Sequence, residues 1–303
     1  MTIVTTEVPR VAGIRITRAH SAFATFAILS AIVFWKVFRA LIIFSLSHES
    51  SSHVVLIPLV SIYFLYTERS RIFRDTHTSL VRGGALILAA ISLYLSVGNQ
   101  FSVRDPEEFL PGATLSIVML WLGGFLLCYG GEAWRRASFS LLFLLLMVPL
   151  PPTFLERTVY LLQQGSTEVT YLLLRTIGVP VLRQGFVLAV PSVTIEVAQE
   201  CSGIRSSVAL LITCLLASHL FLRTKWKMLV FVLLAFPLAI LKNGIRITTL
   251  TLLSIYVDPA FLRGNLHRDG GFVFFVLALL ILFPVFLLLE KSDKPQRAAN
   301  ATS

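Results

Sequence analysis

Long apolar runs separated by short polar segments dominate the pattern of this chain. Several runs approach the roughly 20 residues that a helix needs to cross a hydrocarbon layer of about 30 Å. They are continuously apolar rather than alternating, which favours helices over a membrane β-barrel. The pattern therefore predicts an all-α polytopic membrane protein with about eight transmembrane helices. We place these spans at about 22–35 (extending as far as 44), 53–66, 83–97, 111–129, 137–155, 203–222, 227–256 and 271–289.

Two stretches before the sixth span depart from this pattern. Residues 156–178 mix Gln163, Gln164 and Glu168 with Leu and Val, which favours an amphipathic helix on the membrane surface over a further span. Residues 179–199 are rich in Val, Ile and Thr and are interrupted by Gly185 and Pro191. That composition predicts a β-hairpin outside the hydrocarbon. We expect a small extracytoplasmic segment with these two parts.

Charge distribution predicts the orientation. Only 14% of residues are charged, yet the net charge is +10. No basic domain stands apart from the spans, so we expect no nucleic-acid partner. Lys and Arg instead gather before span one and after spans two, four, six and eight, as in cytoplasmic loops. The chain is expected to lie in the cell inner (plasma) membrane with both termini cytoplasmic.

The expected organisation is one membrane domain with two short tails. A cytoplasmic tail covers 1–21, the transmembrane domain covers 22–290, and a disordered cytoplasmic tail covers 291–303. In this topology the segments that face outward are 46–53, 99–110, 156–202 and 257–270.

The three cysteines differ in their surroundings. Their odd number and their spacing support neither a disulfide framework nor a zinc site, so we expect no metal and no cofactor. Cys128 and Cys214 lie inside apolar runs and are expected to be core residues. Cys201 begins the sixth span, where the positive end of a helix favours a thiolate. Arg205 lies four residues further on and shares its helix face, so Cys201 is a candidate nucleophile.

The seventh span carries polar residues in the middle of an apolar run. They include Lys242, Asn243 and Arg246. A basic side chain at membrane depth costs at least about 2.5–3.5 kcal/mol, so such residues face a bundle interior or a water-filled cavity. Arg246 is either a snorkelling or carboxylate-paired arginine, or a fixed cation aimed at an oxyanion.

Two candidate histidines lie on the predicted outer side. His267 precedes the eighth span and His53 begins the second. A histidine is the usual proton shuttle for a cysteine nucleophile. His267 is the stronger candidate and His53 the weaker one.

Taken together, these motifs resemble the exosortase/archaeosortase family of membrane transpeptidases. The resemblance covers roughly 45–290. It rests on Cys-Ser-Gly-Ile-Arg-Ser at 201–206, on Asn-Gly-Ile-Arg-Ile at 243–247, and on His267 followed by Gly-Gly-Phe at 270–272, with upstream similarity at 52–58, 147–152 and 183–197. Val54 departs from the family, where many members have Gly.

The resemblance implies that Cys201, Arg246 and His267 are catalytic, with Arg205, Asn243 and His53 in supporting roles. It also implies the partners, which are the lipid bilayer and membrane-anchored substrate proteins with C-terminal sorting signals. Such a signal has a motif such as Pro-Glu-Pro, a transmembrane helix and a basic cluster, and it is cut at the outer face. Helical spacing alone makes Arg205 the arginine nearest Cys201, whereas the family pattern favours Arg246.

Two other functions compete with a sorting transpeptidase. A transporter would use Lys242, Asn243 and Arg246 to line an anion path, although no internal repeat is evident. A polysaccharide-assembly membrane protein would have no peptidase activity. A carrier tolerates loss of the Cys201 thiol, whereas a cysteine enzyme does not.

Overall fold

The computed structural model describes residues 18–98, 105–191, 193–199, 203–262 and 271–299, and these are mainly helical, with one small sheet. The expected all-α polytopic class is confirmed. The helices are α1 Arg18–Val33, α2 Trp35–Ser47, α3 Leu56–Thr67, α4 Arg69–Ile72, α5 Leu80–Gly98, α6 Pro106–Arg136, α7 Ser138–Phe143, α8 Pro152–Ile177, α9 Ile204–Phe221, α10 Lys225–Leu233, α11 Ala235–Tyr256 and α12 Gly271–Ala299. Short 3-10 turns lie at Glu49–Ser51, Leu144–Met147 and Pro259–Leu262.

Six of the described helical segments are long and apolar enough to cross a membrane. Two further pairs, each interrupted by a sharp bend, raise the number to eight if each pair is one span. The predicted fifth span, 137–155, covers the bend of one such pair, because the helical stretch that begins at Ser138 ends at Met147 and α8 runs from Pro152 to Ile177. Pro149 and Pro151 lie in the break, where they supply no backbone N–H, and Pro152 suits a first helical position.

The chain forms two compact units. The first comprises 1–41 and 56–148, and α5 packs against α6 along most of its length. Glycines permit this close approach, since a Cβ on Gly83 would lie 2.7 Å from Leu127 and one on Gly123 2.8 Å from Ile87. On α1, the Ser30 Oγ accepts a hydrogen bond of 2.7 Å from the indole N–H of Trp121 on α6.

The second unit comprises 42–55 and 149–303, and α8 runs alongside α11 in the same direction. The direction follows from two contacts: a Cβ on Gly165 would meet Ile240, and one on Gly244 would meet Val169. The packing of α8 on α11 does not test the expected surface location of 156–178, which stays a prediction. Amphipathicity was read correctly, but the buried polar side chains of α8 face a neighbouring helix instead of water.

Helices α9 to α12 share the apolar core of the second unit, in which Cys214 is fully buried as expected. Near the C-terminal end of α12, the Asp293 carboxylate accepts hydrogen bonds from the Arg223 N–H (3.0 Å), Thr224 Oγ1 (2.7 Å) and Lys227 Nζ (2.6 Å). Helix α12 continues to Ala299, past the predicted start of the tail at residue 291. The division into tails and one domain stays a prediction.

The small sheet lies where the sequence predicted a hairpin, but it has three strands. They are β1 Leu182–Gln184, β2 Val187–Val190 and β3 Val193–Glu196, antiparallel in the order β1-β2-β3. Gly185 takes a φ of 62° in the first turn, a conformation that favours glycine. Apolar side chains of the sheet pack with residues of α8 and α11. This packing fixes the chain that leads from β3 toward residue 201.

Candidate active site

The site is built around the first turn of α9. Gly203 is the N-terminal cap of this helix and takes a φ of 71°. The hydroxyls of Ser206 and Ser207 donate to the Gly203 carbonyl oxygen at 3.0 and 2.8 Å. A Cβ added to Gly203 would lie 3.0 Å from the Asn243 Oδ1, so this turn contacts α11 directly.

Asn243 joins three helices at this point. It is fully buried, and its Nδ2 donates to the Ser166 Oγ of α8 at 3.0 Å. The next residue, Gly244, accepts a hydrogen bond of 3.3 Å from Thr170 Oγ1 through its carbonyl oxygen. A Cβ at Gly244 would approach Val169 to 2.4 Å, so glycine permits this contact between α8 and α11.

Two cations lie on the same stretch of α11. Lys242 is only 2% exposed, and its Nζ donates to the Ser206 Oγ of α9. Arg246 follows one turn later; its side chain is half-buried and its Nε is buried. Their i, i+4 spacing places both on one side of α11, as the sequence predicted.

The chain is held against α11 on both sides of Cys201. On the near side, Val197 is buried with Ile247 of α11, and its carbonyl oxygen accepts a hydrogen bond from Gln163 Nε2 of α8. On the far side, Gly203 meets Asn243. The stretch of α11 from 243 to 247, which includes Arg246, therefore receives both ends of the segment between 197 and 203.

The predicted site residues separate into three groups. Cys201 and His267 lie outside the described residues. Asn243 and Arg246 lie about one turn apart on α11, and Asn243 meets the first turn of α9. Arg205 belongs to that turn but its side chain is exposed, and His53 is half-buried just after the 3-10 turn Glu49–Ser51, which packs against α9.

Sequence reasoning missed the contributions of Ser166 and Gln163. Both are buried on α8: Gln163 Nε2 donates to the Val197 carbonyl oxygen, and Ser166 Oγ accepts from Asn243 Nδ2 of α11. Their signal was the polar spacing of Gln163, Ser166 and Thr170, which repeats at three and four residues and so marks one helix face. Among the described residues, no group of three or more His, Cys, Asp or Glu side chains is placed to hold a metal ion. The expectation of a cofactor-free site stays a prediction.

Comparison with known proteins identifies the family. The model of the transmembrane exosortase family matches residues 35–284. The chain belongs to the transmembrane exosortase family. In this exosortase the matched range contains the first turn of α9, the polar stretch of α11 and the positions 201, 246 and 267. No curated protein and no solved structure gives a significant match to this exosortase.

Proposed function

We propose that this exosortase is a membrane cysteine peptidase and transpeptidase. It cuts the C-terminal sorting signal of exported, membrane-anchored proteins at the outer face of the membrane and transfers them to an acceptor. One observation carries the proposal: the chain on either side of Cys201 is fixed to the stretch of α11 that holds Arg246. Two residues of chain reach at most about 7 Å, which ties Cys201 to the anchored Gly203.

The chemistry divides into two acyl transfers. His267 accepts the Cys201 proton, and the thiolate attacks the carbonyl carbon of the scissile peptide bond. Arg246 stabilises the negative charge on the tetrahedral oxygen. The C–N bond then breaks, His267 protonates the departing amine, and the exported protein remains on Cys201 as a thioester. An acceptor amine, or water, attacks this thioester and releases the Cys201 thiol.

The supporting residues have distinct roles in this mechanism. Asn243 holds the first turn of α9 against α8 and α11. Arg205, with its exposed side chain, is a contact for the substrate or an auxiliary cation. His53 is the reserve proton carrier on the outer side.

The proposed substrates carry a PEP-CTERM-like signal, in which a short motif precedes a transmembrane helix and a basic cluster. The site faces outward in the inner membrane when both termini are cytoplasmic, so the cut occurs after the substrate has been exported. We expect the substrates to be exopolysaccharide-associated proteins.

A co-expression experiment tests the proposal. A candidate membrane-anchored substrate carries a C-terminal tag, and its loss is followed by immunoblot with wild type, Cys201→Ala and the matched control Cys128→Ala. We expect the tag to be lost with wild type and Cys128→Ala and retained with Cys201→Ala. The mass of the released protein then distinguishes transfer from hydrolysis.

Equal tag loss with wild type and Cys201→Ala would show that Cys201 is not the nucleophile. A second experiment expresses Cys201→Ala in a host strain that lacks this gene. If the variant restores the cell envelope as fully as wild type, a transporter or polysaccharide-assembly role is supported.

A further inference from the structure

Lys242 occupies an energetically unfavourable position. Among the described residues, the buried charged side chains are Lys242 and Asp293. Asp293 is matched by Lys227 and two further donors, whereas the described partner of Lys242 is a neutral hydroxyl, Ser206 Oγ. Removing an ammonium group from water is costly, and a hydroxyl compensates for only part of that cost. A Met of similar size would fill the same space without this cost.

The Lys242 amine is directed at one place, the first turn of α9. Ser206 Oγ accepts from Nζ and donates to the Gly203 carbonyl oxygen, so the lysine is linked through one hydroxyl to the residue that begins the helix. The next residue, Asn243, meets Gly203 as well. Two successive residues of α11 therefore hold the turn that follows Cys201 by two positions.

We propose that Lys242 is a positioning residue of the reaction, which holds the first turn of α9 through Ser206 and supplies a fixed positive charge to the Cys201 thiolate. This role rests on the proposed function. Lys242 forms and breaks no covalent bond to the substrate and transfers no proton in the reaction, since the Cys201 proton still passes to His267. It differs from Arg246, which acts on the substrate oxygen.

Other charges near this turn are few among the described residues. Arg246 lies one turn further along α11, and Arg205 on α9 is exposed. On α8, Glu168 is exposed and paired with Arg183. Glu49, in the 3-10 turn against α9, is exposed, and the described α12 residues packed in this core are apolar. Loss of the Lys242 charge therefore leaves Arg246 as the nearby cation with a partly buried side chain.

The experiment measures the ionisation of Cys201 in the full-length protein. Purified protein in lipid nanodiscs is alkylated with iodoacetamide across a pH series, and carboxamidomethylation of the Cys201 peptide is quantified by mass spectrometry. We expect Lys242→Met to raise the pH at which Cys201 alkylation is half-maximal by about one unit. Near neutral pH, the rates of alkylation and of tail removal should both fall about tenfold. Lys242→Arg should keep most of both, and Lys291→Met, an exposed lysine, should match wild type.

Stability separates this role from simple packing. Lys242→Met should melt at or above the wild-type temperature, because an apolar side chain replaces a buried charge. An unchanged midpoint in Lys242→Met overturns the proposal. If that variant does not fold, Ser206→Ala serves instead: it should shift the midpoint in the same direction by a smaller amount, and no shift overturns the proposal.

Failure of the proposed function gives a different result. If Cys201→Ala removes the tail as well as wild type, the cysteine mechanism itself is wrong. If Cys201 is required but Lys242→Met keeps both midpoint and rate, only the role of Lys242 is wrong.

Discussion

Replacing Arg246 by Gln should cost far more activity than replacing Arg205 by Gln. The Arg246 side chain is half-buried on α11 beside the anchored ends of the Cys201 segment, whereas the Arg205 side chain is exposed on α9. Both arginines are candidates for the cation that acts beside Cys201. The substitution removes the positive charge in each case and keeps a polar side chain of comparable length.

The magnitude follows from burial. A unit charge about 4 Å from an oxyanion, at an effective dielectric of about 20, contributes about 4 kcal/mol. Loss of a single oxyanion donor in other enzymes costs about 2.7–4 kcal/mol, or roughly 10²–10³ in rate. An exposed cation contributes less than about 1 kcal/mol, or less than about fivefold. We therefore expect a loss of about 10²–10³ for Arg246→Gln and of less than about fivefold for Arg205→Gln.

The assay is the rate of tail removal from a purified substrate in nanodiscs, normalised to the amount of Cys201 that iodoacetamide can label. Melting temperatures of the variants report whether each one is folded. Arg246→Lys should retain part of the activity, since it keeps the charge but loses the planar arrangement of donors. Similar losses in the two Gln variants, or an Arg246→Gln rate within tenfold of wild type, would contradict the assignment of Arg246 to the oxyanion.

Two further predictions concern the turn of α9 and the end of α12. Gly203→Ala should lower stability by about 1–2 kcal/mol because of its left-handed backbone, and should also reduce tail removal because the new Cβ would lie 3.0 Å from the Asn243 side chain. Asp293→Asn should lower the free energy of unfolding by about 3 kcal/mol, measured by thermal and denaturant unfolding in detergent, because Lys227, whose side chain is only 14% exposed, is left without its counter-ion.

Each of these predictions has a matched control. Gly178 also has a positive φ, of 88°, but a Cβ there would meet nothing within 4 Å, so Gly178→Ala should lose stability without losing activity. Equal activity losses in the two glycine variants would remove the argument for a site at Gly203. Asp75→Asn breaks a more exposed ion pair with Arg136 and should change stability by less than about 1 kcal/mol. If it matched Asp293→Asn, burial would not explain the effect.

Periodicity and charge predicted the class of this protein well, because membrane insertion imposes length and polarity on each helix separately. The motif around Cys201 and the polar stretch at 242–246 were found for the same reason. Polar residues inside apolar runs can be recognised from the sequence without knowledge of the residues that they contact. Helical spacing alone, by contrast, favoured Arg205 over Arg246. It carries no information on their difference in burial, which depends on how α8, α9 and α11 pack.

The location of α8 shows the same limit. Its buried side chains include Gln163, Ser166 and Thr170, and the sequence alone says only that one helix face is polar. A polar face is satisfied equally well by water or by a neighbouring helix. The partner that decides between them is Asn243, which lies 77 positions from Ser166 in the chain.

This separation affects how the protein is made. At about 5–20 residues per second, a ribosome needs about 4–15 s to extend the chain from Ser166 to Asn243. During that interval α8 has left the ribosome with its polar side chains and without the helix that satisfies them. Stable packing of α8 is therefore completed only after α11 has been synthesised, and a nascent chain arrested before α11 should leave the polar face of α8 open to proteolysis.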